Sequence, residues 1–181
     1  MNNGLIPHRY AKALYKYAAE QGKAREVYDE MLAVVKSFQD NPGLQRVLSN
    51  PNVSNDDKKK LLESAAGALV EDDYRRFVWL ILAHGREEFA YQMALAYRDI
   101  YRKANHIAQV TITTAADLGN AEMNKLKKVV SGAYKDCSLE YSLRVNPDLI
   151  GGFVIDVDNV RMDASLRNEI EQLRQTLLRS N

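Results

Sequence analysis

Asn146-Pro147-Asp148-Leu149-Ile150-Gly151-Gly152-Phe153-Val154-Ile155 decides how the second half of this chain is read. Pro147 presets the φ that a turn requires, and Asp148 favours the same turn. Leu149 and Ile150 are too apolar for a solvated loop, so both are expected inside. Gly151-Gly152 then interrupts a strand-like run, which marks a bulge or a close approach of two backbones. The strand resumes and runs to Val157. Asp158-Asn159 suits a hairpin turn, and Val160 to Met162 can supply a short return strand. Asp163 or Ser165 caps a final helix, in which Leu166, Ile170, Leu173 and Leu177 step by four, three and four. Such a narrow stripe is the seam of a helix with one partner.

Working back from this stretch, Leu139 to Val145 and Ile107 to Thr113 alternate with period two and read as strands. Between them, Asn120 to Tyr134 has helical spacing, with Met123, Leu126, Val130 and Ala133 inward. Before residue 106 the period is helical throughout. His8 to Gln21 carries Tyr10, Ala11, Ala13, Leu14, Tyr17 and Ala18 on one side, with Gly22 as its cap. A second helix runs from Lys23 to Gln39. Asn41 caps and Pro42 opens a short third, with Leu44, Val47 and Leu48 inward. Ser54-Asn55-Asp56-Asp57 resembles a capping box for the fourth, with Leu61, Leu62, Ala65, Ala66 and Leu69 inward. Its Lys58-Lys59-Lys60 run reads as a solvated face. Asp72 to His84 is apolar nearly all round, through Tyr74, Phe77, Val78, Trp79, Leu80, Ile81 and Leu82. A sixth helix reaches Asn105, with Phe89, Met93, Ala96, Tyr97, Ile100 and Tyr101 inward. The first and fifth helices therefore carry more apolar surface than one neighbour can cover. The predicted fold is α+β: a six-helix bundle over residues 1–105, then a small αβ domain over 106–181 in β-α-β-β-α order.

Composition narrows the function. A net charge of +1 lacks the basic excess of a dedicated nucleic-acid binder. The single Cys137 excludes an intrachain disulfide and any multi-cysteine metal site. No apolar run approaches a membrane span, and Met1-Asn2-Asn3-Gly4 lacks a signal peptide's pattern, so a cytoplasmic protein is expected. His8, His84 and His106 sit in separate elements without metal-ligand spacing and read as surface or capping residues. Asp56-Asp57 and Asp72-Asp73 fall at helix starts, where carboxylates favour the dipole. No nucleotide-binding loop, nucleophile elbow or zinc motif is present. Nothing in the sequence argues for an enzyme, and no catalytic residues, no metal and no cofactor are expected. The rival reading is a helical RNA-binding or regulatory adaptor. It would need strand aromatics amid basic surface, and only Tyr141 and Phe153 lie on strands.

Five motifs occur in order: Arg9-Tyr10-Ala11-Lys12-Ala13-Leu14-Tyr15, Leu48-Ser49-Asn50-Pro51-Asn52-Val53, Leu82-Ala83-His84-Gly85-Arg86, Val145 to Gly152, and Asp163-Ala164-Ser165-Leu166-Arg167. Together they resemble the delta-subunit family of the bacterial F-type ATP synthase, whose mitochondrial counterpart is the oligomycin-sensitivity-conferring protein. The family often has Gly-Asp in place of Asp158-Asn159 and Asp-Gly-Ser in place of Asp163-Ala164-Ser165. The resemblance implies a stator subunit without an active site, peripheral on the cytoplasmic face of the bacterial inner membrane. It implies that the helical domain holds N-terminal segments of F1 alpha subunits. It implies that the C-terminal domain holds the b subunits of the peripheral stalk, with no nucleic acid bound and no direct membrane insertion. The family's alpha-subunit groove lies between helices one and five. The residues carried over to it are Tyr10, Ala11, Ala13, Leu14, Phe77, Val78 and Ile81. Gly151 and Gly152 are expected to kink the third strand so that the last helix presents the stalk-binding surface.

Overall fold

Helical periodicity before residue 106 produces α1 (Leu5–Glu20), α2 (Ala24–Asp40), α3 (Gly43–Leu48), α4 (Asn55–Ala66), α5 (Asp72–Ala83) and α6 (Ala90–Ala104), with a 3₁₀ turn over Glu87–Phe89. The computed structural model describes residues 4–179 apart from 69, 135 and 159. The expected leader-free start at Met1-Asn2-Asn3, the inward Leu69 and the second turn residue Asn159 lie outside the described residues. The chain divides into two units, Met1–Ala104 and Asn105–Asn181.

In the helical unit, α2 lies against α4 and α6, and α1 packs chiefly on α6. The interior is filled by Val27, Tyr28, Met31 and Val34 of α2, Leu62 of α4, Val78 and Ile81 of α5, and Met93 and Tyr97 of α6. Burying each large side chain contributes roughly 1.5–3 kcal/mol. Gly22 and Gly85 close α1 and α5 with positive φ, +71° and +59°. A side chain would be strained in both places.

Several expectations are corrected. Asn41 does not cap α3 with its side chain. Its Nδ2 donates to the Ser37 carbonyl at the end of α2, and only its backbone carbonyl serves α3, accepting the Leu44 N–H. Val47 faces outward, because a helix of under two turns buries only Leu48 fully. Ser54 caps α4, accepting the Asp57 N–H at 3.2 Å. The shorter Asp57 carboxylate takes the Ser54 hydroxyl at 2.7 Å. Lys58 is not solvated: it is 4% exposed and pairs with Glu87 at 2.7 Å, whereas Lys59 and Lys60 are exposed. The α6 stripe is rotated toward Ala90 and Ala94, leaving Phe89, Ala96 and Ile100 half-buried.

The second unit holds β1 (Ile107–Thr114), α7 (Asn120–Ala133), β2 (Ser138–Val145), β3 (Gly152–Val157), β4 (Val160–Ser165) and α8 (Leu166–Arg179). The return strand is a full member of the sheet, so the order is β-α-β-β-β-α. The sheet order is β2-β1-β3-β4, with β1 and β2 parallel and the remaining pairs antiparallel. Ala108, Val110 and Ile112 of β1 meet Ile155 and Val157 of β3 and Val130 of α7 in one core. Met123 and Leu126 pack against it, whereas Ala133 is exposed.

Pro147–Leu149 is a 3₁₀ turn, with the Asn146 Oδ1 accepting the Asp148 N–H at 3.1 Å. Leu149 is buried, but Ile150 is 65% exposed at φ +66°. The turn's geometry, not hydrophobicity, fixes Ile150 there: its N–H bonds back to the Pro147 carbonyl. Val157 pairs with Val160 across the β3–β4 connection, and Asp158 has φ +48°. Ala164 lies within β4 opposite Phe153, where strand geometry tolerates its Cβ.

Candidate functional site

Each unit leaves apolar surface uncovered. In the helical unit the core stripe of α1 is Pro7, Ala11, Leu14 and Ala18, spaced by four, three and four. One step round the wheel, Tyr10, Ala13 and Tyr17 form a second stripe. On α5, Phe77, Leu80 and His84 stand beside the buried Val78 and Ile81 in the same way. These second stripes face each other across a groove of about 690 Å³ that Trp79 also lines. Trp79 is 65% exposed, a large aromatic surface to leave in water.

Two polar clasps bound the groove. At one end, the Tyr10 hydroxyl and His84 Nδ1 are 3.2 Å apart, with the rings edge to face at 6.3 Å. At the other, Arg76 Nη1 donates to the Tyr17 hydroxyl at 2.6 Å. Both tie α1 to α5, and they fix the separation of the walls between them.

Of the residues expected in this groove, Tyr10, Ala13, Leu14 and Phe77 line it. Ala11, Val78 and Ile81 are instead core residues, turned by the helical wheel into the bundle. Arg9, Tyr17, Asp73, Arg76, Trp79, Leu80 and His84 complete the wall. Trp79 and Leu80 were visible in the sequence as excess apolar coverage of the fifth helix. The polar members carried no sequence signal, because only the pairing of α1 with α5 brings them together.

The start of α5, and with it one end of the groove, is held from behind by the buried Glu30 and Tyr74 and by a part-exposed ion pair. Glu30 Oε1 on α2 accepts the Glu71 N–H at 2.5 Å, and Lys23 pairs with Glu71 at 2.6 Å. Burial pushes the Glu30 carboxyl up to about 7, with the nearby Glu71 and Asp73 carboxylates adding to the shift. Tyr74 donates to the Leu62 carbonyl at 2.9 Å, and burial raises its phenol well above the ordinary range. A smaller depression on the α1–α6 side, about 400 Å³, is lined by Pro7, Leu95, Ala96 and Ile100 among others.

In the second unit, beside exposed strand residues such as Leu143, Val160 and Met162, the most continuous open apolar stripe is that of α8. Its seam residues are exposed, from 45% at Leu166 to 69% at Leu177, and no residue of the helix is buried. The described hydrogen bonds that tie the helix to the sheet lie at its first turn. Ser165 Oγ accepts the Asn168 N–H at 3.2 Å, and Asp163 Oδ1 accepts the Ser165 hydroxyl at 2.6 Å. That hydroxyl holds the Asp163 carboxyl below its usual range. Leu166 N–H donates to the Gly151 carbonyl at 3.1 Å. A Cβ on Gly151 would stand 2.6 Å from Leu166 Cδ1. A Cβ on Gly152, at φ +72°, would overlap the Ala164 carbonyl oxygen. The glycine pair is thus where β3, β4 and α8 meet. A polar cavity of about 530 Å³ beside it is lined by Arg144, Arg161, Arg167 and Glu171 among others.

Among the described residues no three of His, Cys, Asp and Glu come together as a metal site, and no helix is long and apolar enough to cross a membrane.

Residues 6–177 match the family model described as ATP synthase delta (OSCP) subunit. The chain is 39% identical to the ATP synthase subunit delta of Parabacteroides distasonis, covering 98% of both chains. It is 35% identical to that of Phocaeicola vulgatus, covering 98% of this chain and 96% of the relative. It also resembles a chain in a cryo-EM structure of the Toxoplasma gondii mitochondrial ATP synthase hexamer. There the TM-score is 0.72 at 17% identity, over 96% of this chain and 97% of the other.

Proposed function

This chain belongs to the ATP synthase delta (OSCP) family, and from that premise we propose that, as a stator component of the peripheral stalk, it ties the F1 head to the stalk through two separate surfaces. The α1–α5 groove receives an N-terminal helical segment of an alpha subunit. The seam of α8 receives the b subunits. The subunit does no chemistry of its own; it resists the torque of the central rotor while ATP is made and ions cross the membrane. It works at the cytoplasmic face of the inner membrane, without entering the bilayer. The observation that carries this reading is that the α1–α5 groove of one unit and the α8 seam of the other are both uncovered and apolar, as helix-docking surfaces are. The rival reading as an RNA-binding adaptor finds less support, because Tyr141 and Phe153 pack against the sheet's own core. Each ring, half-buried there, has less surface left to stack on bases.

The test uses full-length chains altered on the two surfaces in turn. Leu80→Asp places a charge in the groove wall, and Leu173→Asp places one in the α8 seam. Both positions are exposed enough for the fold to survive. In pull-downs with alpha and b subunits presented separately, Leu80→Asp is expected to lose alpha and keep b. Leu173→Asp is expected to do the reverse. Loss of both partners in either variant, or of neither, would overturn the assignment.

A further inference from the structure

The groove between α1 and α5 has a length and a charge, and both constrain what fits it. Its two clasps are separated by the seven residue steps from Tyr10 to Tyr17 on α1, about 10 Å of helix. That is two turns. Between them the wall is apolar, from Ala13, Leu14, Phe77 and Leu80. At the ends stand Arg9, beside the Tyr10–His84 clasp, and Arg76, in the other clasp. Both guanidinium groups belong to exposed residues. Among the described residues neither forms an ion pair within the chain. Asp73, the acidic residue of the lining, is buried. The groove therefore presents an apolar floor with an exposed cation at each end, and at the Arg76 end the buried Asp73 carboxylate, whose Oδ2 has no hydrogen-bond partner among the described residues, lies one turn away on α5. Arg76 is already oriented by its bond to Tyr17, so little side-chain freedom is lost when it meets a carboxylate.

We propose that this groove selects an amphipathic helix that docks over about two turns, with carboxylates flanking its apolar stripe so that one meets Arg76 and another meets Arg9. This deepens the assignment of the groove to an alpha-subunit segment and rests on that assignment for the identity of the natural occupant. The charge pattern adds selectivity and encounter rate, and the apolar floor supplies most of the affinity.

Trp79 is the only tryptophan of the chain and lines the groove, so its emission reports occupancy there directly. The full-length protein is titrated with capped helical peptides of about 18 residues. They share one apolar stripe at i, i+3, i+4 and i+7 and carry Glu, Gln or Lys at the two flanking positions. The Glu peptide is expected to bind about tenfold tighter than the Lys peptide at low salt, and the gap should narrow at about 0.5 M salt. Arg9→Glu combined with Arg76→Glu, checked for folding by circular dichroism, should invert the order. Equal affinities for the three peptides, a Lys preference, or no inversion in the double variant would overturn the inference. The alpha subunit's own N-terminal segment serves as a fourth probe. If it binds while the charge series is flat, the inference falls and the alpha assignment stands. If it is silent while the Glu peptide binds best, the alpha assignment falls and the groove's preference stands. Silence of every probe overturns the inference.

Discussion

Glu30 is 6% exposed, and one of its carboxylate oxygens has no hydrogen-bond partner. Its carboxyl titrates near 7 in the fold, against 4.5 when free. The folded state therefore holds this proton more tightly than the unfolded chain does, and stability falls as pH rises between those values. The full cost applies above about 7, where it amounts to roughly 3 kcal/mol. Glu30→Gln keeps an acceptor for the Glu71 N–H and removes the titration. Urea unfolding at pH 5 and pH 8 should show a decline in the wild type and a flat response in the variant, which should be the more stable at pH 8. The Lys58–Glu87 pair behaves differently. Both side chains are mostly buried, so Lys58→Ala strands a carboxylate and should cost about 3 kcal/mol, while Lys58→Met with Glu87→Leu should recover most of the loss. If both variants lost the same amount, the lysine stem and not the charge would be what matters. The sequence could not reveal this, because Lys58 sits in a run of three lysines and only the approach of Glu87 singles it out.

At the scale of elements, the glycine pair and α8 act together. Gly152→Ala must both hold φ +72° and clear the Ala164 carbonyl, whereas Gly151→Ala meets only the end of the flexible Leu166 side chain. The first should destabilise the sheet unit by at least about 2 kcal/mol. The second should cost much less and shift the start of α8. Amide exchange on β3 and β4 would resolve the two, and equal protection in both variants would count against the contrast. For α8 the expectation is opposite in kind. With no buried residue, Leu173→Asp should change unfolding stability by within about 0.5 kcal/mol. A loss of several kcal/mol would mean that the seam packs within the chain. The four-three-four spacing of this helix was legible in the sequence, as was the close backbone approach at the glycines, which stand at the start of β3 and not inside it. The outward turn of Ile150 was not, since hydrophobicity and turn geometry disagree there and the turn prevails.

At the scale of the molecule, the described core of each unit is its own. The aromatic cluster of Tyr15, Tyr28, Tyr97 and Tyr101 lies wholly in the helical unit, and the β1–β3–α7 cluster lies wholly in the other. Residues 1–105 expressed alone should therefore fold as a cooperative helical protein and bind an alpha-subunit N-terminal peptide. A folded fragment giving no heat on titration with that peptide would contradict the assignment of the groove. A fragment that fails to fold would show that the helical unit depends on the rest of the chain.

The sequence by itself determined the helical and strand periods, the change between them near residue 106, and the surplus apolar surface of α1 and α5. These are properties of spacing along one element, and spacing is local. Tertiary structure alone decided which members of an apolar helix face inward. Ala11, Val78 and Ile81 went to the core while Trp79 and Leu80 stayed at the groove. It also decided that Lys58 and Glu30 are buried, and that Tyr10 meets His84 and Tyr17 meets Arg76 across 74 and 59 residues of chain. A helix nearly all apolar has no preferred face until its neighbours arrive, and a polar pair has no energy until packing brings it together and takes it out of water.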